Sequence, residues 1–320
     1  MKKRLQILAA ASLLLLGLPA GAQQYPSKPV TIITAFGPGT ASDTIARVVA
    51  QPLGAALKQS VIVEARPGAS GAISAMYVAR QPADGYTMLL TTNSPQSAAP
   101  FLMKNVGYDA VKDFTSITRL GSFTLLLVIH PSIPANNVKE LIAYAKANPG
   151  KLSFASGNSA GIVAGETLKH WAKADMLHVP YKGTPQALTD VLAGRVSMMF
   201  ADLTTVMPHV QAKTLRALAV TRIKRSSLFP ELATMDEAGV TGFDMDAWAG
   251  LVAPANTPPE IVKLLNSTLR PIIDSPEIKT TLGRAGFEAF SSSPEELDDF
   301  IKVQLGKWKK MVSDAGIQPE

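Results

Sequence analysis

The sequence predicts an α/β protein built as two lobes. Three observations carry this. A strand-then-helix rhythm recurs in both halves of the chain, which favours parallel sheets flanked by helices. The length suits two hydrophobic cores better than one. No cysteine is present, so packing rather than cross-linking must hold the cores, and 47% hydrophobic residues are enough to build them.

The chain opens on Met1-Lys2-Lys3-Arg4, followed by an apolar stretch over residues 5–18 and the small-residue sequence Ala20-Gly21-Ala22. This is the pattern of a secretory signal peptide spanning residues 1–22. The apolar stretch is shorter than a bilayer crossing requires, and no later segment approaches that length. The mature protein is therefore expected to be soluble outside the cytoplasm. Cleavage after Ala22 leaves 298 residues, and loss of Lys2, Lys3 and Arg4 lowers the net charge from +6 to +3. The remaining basic residues are scattered, without the clusters and interleaved aromatics of a nucleic-acid surface.

Along the mature chain, strands are expected over 30–36, 61–64, 86–92, 125–130, 151–155, 177–179, 196–200 and 215–221. Helices are expected over 43–57, 73–80, 138–148, 163–172, 185–192 and 205–211. Beyond Pro254 the tail reads as helical. Thr257-Pro258-Pro259-Glu260 and Ser293-Pro294-Glu295-Glu296 both match a capping box with proline at the first turn. Phe300, Val303, Lys307, Trp308 and Met311 follow helical spacing, as a face packed on a lobe would. Two apolar runs, 123–129 and 245–252, are suited to carry the chain from one lobe to the other and back.

Two loops have the chemistry of an anion site. Phe36-Gly37-Pro38-Gly39-Thr40-Ala41-Ser42-Asp43 joins a strand to a helix, and so does Ala155-Ser156-Gly157-Asn158-Ser159-Ala160-Gly161 in the other half. A helix start exposes amide hydrogens without acceptors and the positive end of the macrodipole, so a carboxylate is a natural guest. The structural alternative is that the glycines only make turns and the hydroxyl and carboxyl side chains only cap helices.

Enzyme readings compete. Gly157-Asn158-Ser159-Ala160-Gly161 matches the Gly-x-Ser-x-Gly elbow of an exported serine hydrolase with Ser159 as nucleophile. Its partners would be Asp190 or Asp202 followed by His209, early for that fold, since no histidine occurs in the last 111 residues. Gly37-x-Gly39-x-x-Ser42 with Glu64 is a degenerate dinucleotide fingerprint lacking its third glycine, with Asp43 placing negative charge where a pyrophosphate would lie. His130, His170, His178 and His209 show no metal-ligand spacing, and no Walker-type loop is present. No cofactor, metal site or catalytic residue is expected. A structural or adhesion module remains the third class, distinguished by having no ligand to close on.

Read in order, longer motifs point to one family. They are Gly37-Pro38-Gly39 with Asp43 and Ala46-Arg47, Arg66-Pro67-Gly68-Ala69-Ser70-Gly71, and Pro82-Ala83-Asp84-Gly85-Tyr86-Thr87. Lys112-Asp113-Phe114, Glu140-Leu141-Ile142, Asn148-Pro149-Gly150-Lys151-Leu152 and His178-Val179-Pro180-Tyr181-Lys182-Gly183 follow. Leu215-Arg216-Ala217-Leu218-Ala219-Val220-Thr221 and Trp248-Ala249-Gly250-Leu251-Val252-Ala253-Pro254 complete the series. Over essentially the whole mature chain this resembles the Bug family of extracytoplasmic solute receptors, the binding components of tripartite tricarboxylate transporters.

The resemblance implies a type II periplasmic binding protein fold, with crossing strands joining two α/β lobes and a ligand cleft between them. Lobe one would comprise residues 23–124 plus 251–320, and lobe two residues 125–250. It implies a monomer that binds a small carboxylated solute and delivers it to membrane permease subunits. Carried over by position, Phe36, Gly39, Thr40, Ala41, Ser42 and Asp43 form the first wall, and Ser156, Gly157, Asn158, Ser159 and Ala160 the second. Thr92, Asn93, Tyr181 and Asp202 are further expected ligand-binding residues. Two departures stand out: Thr40 replaces the second of two adjacent glycines, and the second loop lacks the family's Gly-x-Gly-Ser followed by histidine. Lys182 could meet a distal carboxylate or only shape the cleft, and Trp248 could stack on a ligand or pack at the hinge.

Overall fold

The computed structural model describes residues 25–225 and 230–319. The expected signal peptide, residues 1–22, lies outside the described residues. β1 (Val30–Thr34) turns through Gly39, whose φ of +80° suits glycine, into α1 (Ala41–Leu57). β2 (Val61–Ala65), α2 (Ala72–Ala79) and β3 (Thr87–Thr92) follow, and β1 pairs in parallel with both β2 and β3. After a π-helical turn over Ser94–Ala98, β4 (Phe114–Phe123) runs directly into β5 (Leu125–Ile129).

The middle of the chain repeats the alternation with α3 (Val138–Ala147), β6 (Leu152–Ser156), α4 (Ser159–Ala172), β7 (Met176–Pro180) and α5 (Thr184–Leu192). β8 (Met198–Asp202), α6 (Leu203–Gln211) and β9 (Arg216–Val220) complete it. The chain returns through β10 (Ala247–Pro254), then α7 (Pro259–Ile273), α8 (Pro276–Arg284), β11 (Phe287–Ala289) and α9 (Pro294–Asp314).

Among the described residues these strands form two sheets. One has the order β11-β4-β10-β3-β1-β2 and the other β7-β6-β8-β5-β9. The two-lobed α/β class expected from the sequence is what the chain adopts. The sheets are mixed rather than parallel, however. β10 is antiparallel to β3 and β4, and β5 is antiparallel to β8 and β9. The physical reason is that β5 and β10 arrive from the other sheet rather than through a helical crossover, so the βαβ geometry that enforces parallel pairing does not act on them.

β4 was not legible because its ten residues, Phe-Thr-Ser-Ile-Thr-Arg-Leu-Gly-Ser-Phe, mix polar and apolar types without alternation. Two of its groups are met by distant polar side chains or carbonyls. Thr118 Oγ1 donates to the Ser292 carbonyl at 2.9 Å, and Asn266 Nδ2 donates to the carbonyls of Ile117 (2.7 Å) and Ser292 (2.9 Å). Gly121 permits a break in register with β10, where an added Cβ would fall 2.1 Å from the Glu288 carbonyl oxygen.

The tail carries one of the two expected capping boxes. Ser293 and Glu296 cap α9 reciprocally, whereas the Thr257 hydroxyl donates to the Pro254 carbonyl at 2.8 Å and leaves Pro258 as the uncapped start of α7. Leu297, Ile301, Gln304, Trp308 and Val312 form the buried face of α9, while Val303 is exposed. Trp248 is fully buried, edge-on to Phe300 with ring centroids 5.3 Å apart, and so is a core residue. Where the chain returns, the Met245 amide donates to the Thr221 carbonyl at 2.9 Å, and Lys307 of α9 pairs with Asp244 at 2.8 Å. These bonds tie the crossing segment to both sheets.

Replacing Asn266 with alanine removes a donor from two buried carbonyls. Urea unfolding of the mature protein should show a loss of about 1–3 kcal/mol, the usual cost of orphaning buried polar groups.

Candidate functional site

The ends of β1, β3, β6 and β8 converge on one cavity between the two sheets. The lobes leave little free space there, a cavity volume of about 30 Å³, so a solute of several carbons would need them to part. Phe36, Thr40, Ala41, Ser42, Thr92, Asn93 and Ser94 line it from the first sheet's loops. Asn158, Ala160, Thr184 and Asp202 line it from the second, and Phe123 and Ala247 flank the crossings.

Four helices start at this cavity. At α1 the Thr40 hydroxyl accepts from the Asp43 amide at 3.4 Å, and at α4 the Asn158 side chain accepts from the Gly161 amide at 2.9 Å. Each cap reaches only the third amide of its helix. Those of Ala41 and Ser42, and of Ser159 and Ala160, have no acceptor within the helix because none precedes them by four residues. α5 begins at Thr184 after Gly183, and α6 begins after Asp202, whose carboxylate makes no capping bond. The Asn93 side-chain nitrogen, buried in the same lining, has no hydrogen-bond partner among the described residues.

The sum is a small gap surrounded by amide donors and helix-dipole positive ends, with neither lysine nor arginine in its lining. Asp202 is its one charged lining side chain. It is exposed to the cavity yet enclosed by protein, and that burial pushes its carboxyl up to about 6.

Nine of the fifteen residues expected from the sequence line this cavity: Phe36, Thr40, Ala41, Ser42, Thr92, Asn93, Asn158, Ala160 and Asp202. Six serve elsewhere. Gly39 makes the turn, and Asp43 faces its own helix, bound to Arg47 at 3.0 Å and to the Gly39 amide at 3.4 Å. Ser156 bonds His178 Nε2 at 2.6 Å. Gly157 is where the start of α5 crosses the second loop, since a Cβ there would lie 2.2 Å from the Thr184 nitrogen. The Tyr181 hydroxyl donates to Asp190 at 2.6 Å. Lys182 is not in the lining either.

Ser159 is fully buried at the first turn of α4, and its hydroxyl has no partner among the described residues. The structure therefore gives the hydrolase alternative no support at this serine. A nucleophile must reach substrate and be bonded to its base, whereas Asp190 is held by Tyr181 and Arg195 and the serine that meets a histidine is Ser156. Neither Ser156 nor His178 lines the cavity.

Four lining residues were missed. Thr184 could have been found, since Gly183-Thr184-Pro185 is a helix-start signal like the two loops that were read. Ser94 follows two residues that were identified. Phe123 and Ala247 carry no local signal, because they reach the cavity only through the crossing of the chain between sheets.

The profile of the tripartite tricarboxylate transporter family receptor matches residues 45–317. Protein BugT of Bordetella pertussis is 32% identical over 302 residues, covering 93% of this chain and 92% of that one. Among solved structures, an R. palustris protein with adipate superposes with a TM-score of 0.89 at 33% identity, over 92% of this chain and all of that one. MatC from Rhodopseudomonas palustris, with bound malate, superposes with a TM-score of 0.84 at 27% identity, over 90% of this chain and all of that one.

Substitution of Gly157 by alanine should force the α5 start away from the second loop. The expected result is a Tm lowered by several degrees, the effect of a loss of about 1–3 kcal/mol from overpacking, read by differential scanning calorimetry.

Proposed function

Because this chain belongs to the tripartite tricarboxylate transporter receptor family, we propose that it is a periplasmic receptor capturing one small carboxylated solute between its lobes for delivery to membrane permease subunits. The observation that carries this reading is the cavity shared by the two sheets, with the unpaired amides of α1 on one wall and those of α4 on the other. The relatives solved with adipate and malate support a carboxylate as the guest.

Magnitudes agree with a neutral site. Charge-assisted hydrogen bonds contribute about 1.5–3 kcal/mol each, and micromolar affinity needs about 8 kcal/mol. The first-turn amides of α1 and α4 together with Asn93 reach that figure without an arginine. Catalysis has no place in this reading, since the lining holds no bonded nucleophile and base.

The moving bodies are the lobe built on β1–β4, β10 and β11 and the lobe built on β5–β9, so the boundary falls before β10 rather than at residue 250. A solute that touches both stabilises the closed state by its differential affinity, and the permease then selects that state from the population. The protein acts as a monomer, because one chain supplies both walls.

Calorimetric titration against a panel of carboxylates, paired with small-angle scattering, tests the proposal. At least one acid should bind and compact the protein, and Asn93→Leu should weaken that acid about tenfold, equivalent to about 1.4 kcal/mol. Absence of both binding and compaction across the panel would remove the receptor reading.

A further inference from the structure

Asp202 is the charged exception in a lining otherwise made of neutral donors and apolar groups. Aspartate is a favoured helix-capping residue, yet this one makes no capping bond to α6 and is met only by its own backbone amide. No ion pair among the described residues reaches it. The ionisable groups on neighbouring elements are turned to other partners: Asp43 of α1 to Arg47, Tyr181 and Asp190 to each other, and His178 to Ser156. The α5 and crossing-strand contributions, Thr184, Phe123 and Ala247, are uncharged.

We propose that Asp202 sets the specificity of the cavity by accepting a hydrogen bond from a donor at the solute's second end. The pocket then takes monocarboxylates carrying a distal hydroxyl or amino group in preference to dicarboxylates of equal length. The inference rests on the cavity being the carboxylate site proposed above. One carboxylate of the solute is met by helix starts, while a second ionised carboxylate near Asp202 would meet a like charge with no lysine or arginine in the lining to offset it. A hydroxyl or ammonium group there finds an acceptor instead.

The elevated carboxyl gives the proposal a second signature. Donor-bearing solutes use ionised Asp202, so their affinity rises as pH increases through about 6. A dicarboxylate tolerates the protonated form better, so its affinity moves the opposite way.

The test is calorimetric titration of matched sets, each a dicarboxylate with the hydroxy acid and amino acid of the same chain length, from three to eight carbons. Adipate, 6-hydroxyhexanoate and 6-aminohexanoate make one such set. In the wild-type protein the best-bound set should favour a donor-bearing acid about tenfold over its dicarboxylate. Asp202→Asn should shrink that preference at least tenfold and abolish its pH dependence between about pH 5.5 and 7.5, the range around the wild-type carboxyl. Dicarboxylates bound as tightly as their hydroxy and amino counterparts by the wild-type protein would overturn the inference while leaving the receptor reading intact. So would a preference unchanged in the variant. If no carboxylate of any length binds, the receptor reading itself fails. The wild-type measurements decide even if the variant does not fold.

Discussion

Amide hydrogens at a helix start have nowhere to go within the helix, and this constraint organises the molecule. Each strand-to-helix loop in an α/β lobe ends in such a start, so stacking several loops along one sheet edge concentrates unpaired donors there. With α1 on one sheet facing α4, α5 and α6 on the other, the gap becomes polarised without a single basic side chain. A carboxylate placed there would meet backbone donors, which cannot rotate away and whose position is fixed by the sheets behind them.

The crossing strands make this arrangement possible. β4 runs into β5 with only Thr124 between them, and the return passes from Asp246 to β10. Because β5 and β10 each enter the interior of a sheet, both walls are rooted in buried strands rather than in surface linkers. The bonds of Thr221 to Met245 and of Lys307 to Asp244 stabilise the junction around which any closure must turn.

The strand-and-helix alternation was readable because each half-buried element leaves its own period in the chain, and eight of the strands fall close to where apolar runs predicted them. β4 was not, since its buried Thr118 bonds Ser292 before α9 and its Ile117 carbonyl is met by Asn266 of α7, both far along the chain. Thr257 looked like a cap but bonds Pro254, a choice made by where β10 ends. In the site, Thr40 and Asn158 were legible as small polar residues at loop-to-helix junctions. Asp43 and Ser159 belong to the same junctions yet face away from the gap, because helical rotation rather than sequence proximity decides which side of a first turn looks outward.

Sequence alone determined the α/β alternation, the two loops of small residues and the family to which their order points. All of these are local patterns, set by the chemistry of neighbouring residues. Tertiary structure decided that the sheets are mixed, that Phe123, Ala247 and Thr184 complete the lining, and that the Ser–His contact forms at Ser156 rather than Ser159. It also left Asp202 unbonded by its own helix and facing the gap. These outcomes depend on which distant segments meet when the chain crosses between two cores, a relation that residue spacing does not carry.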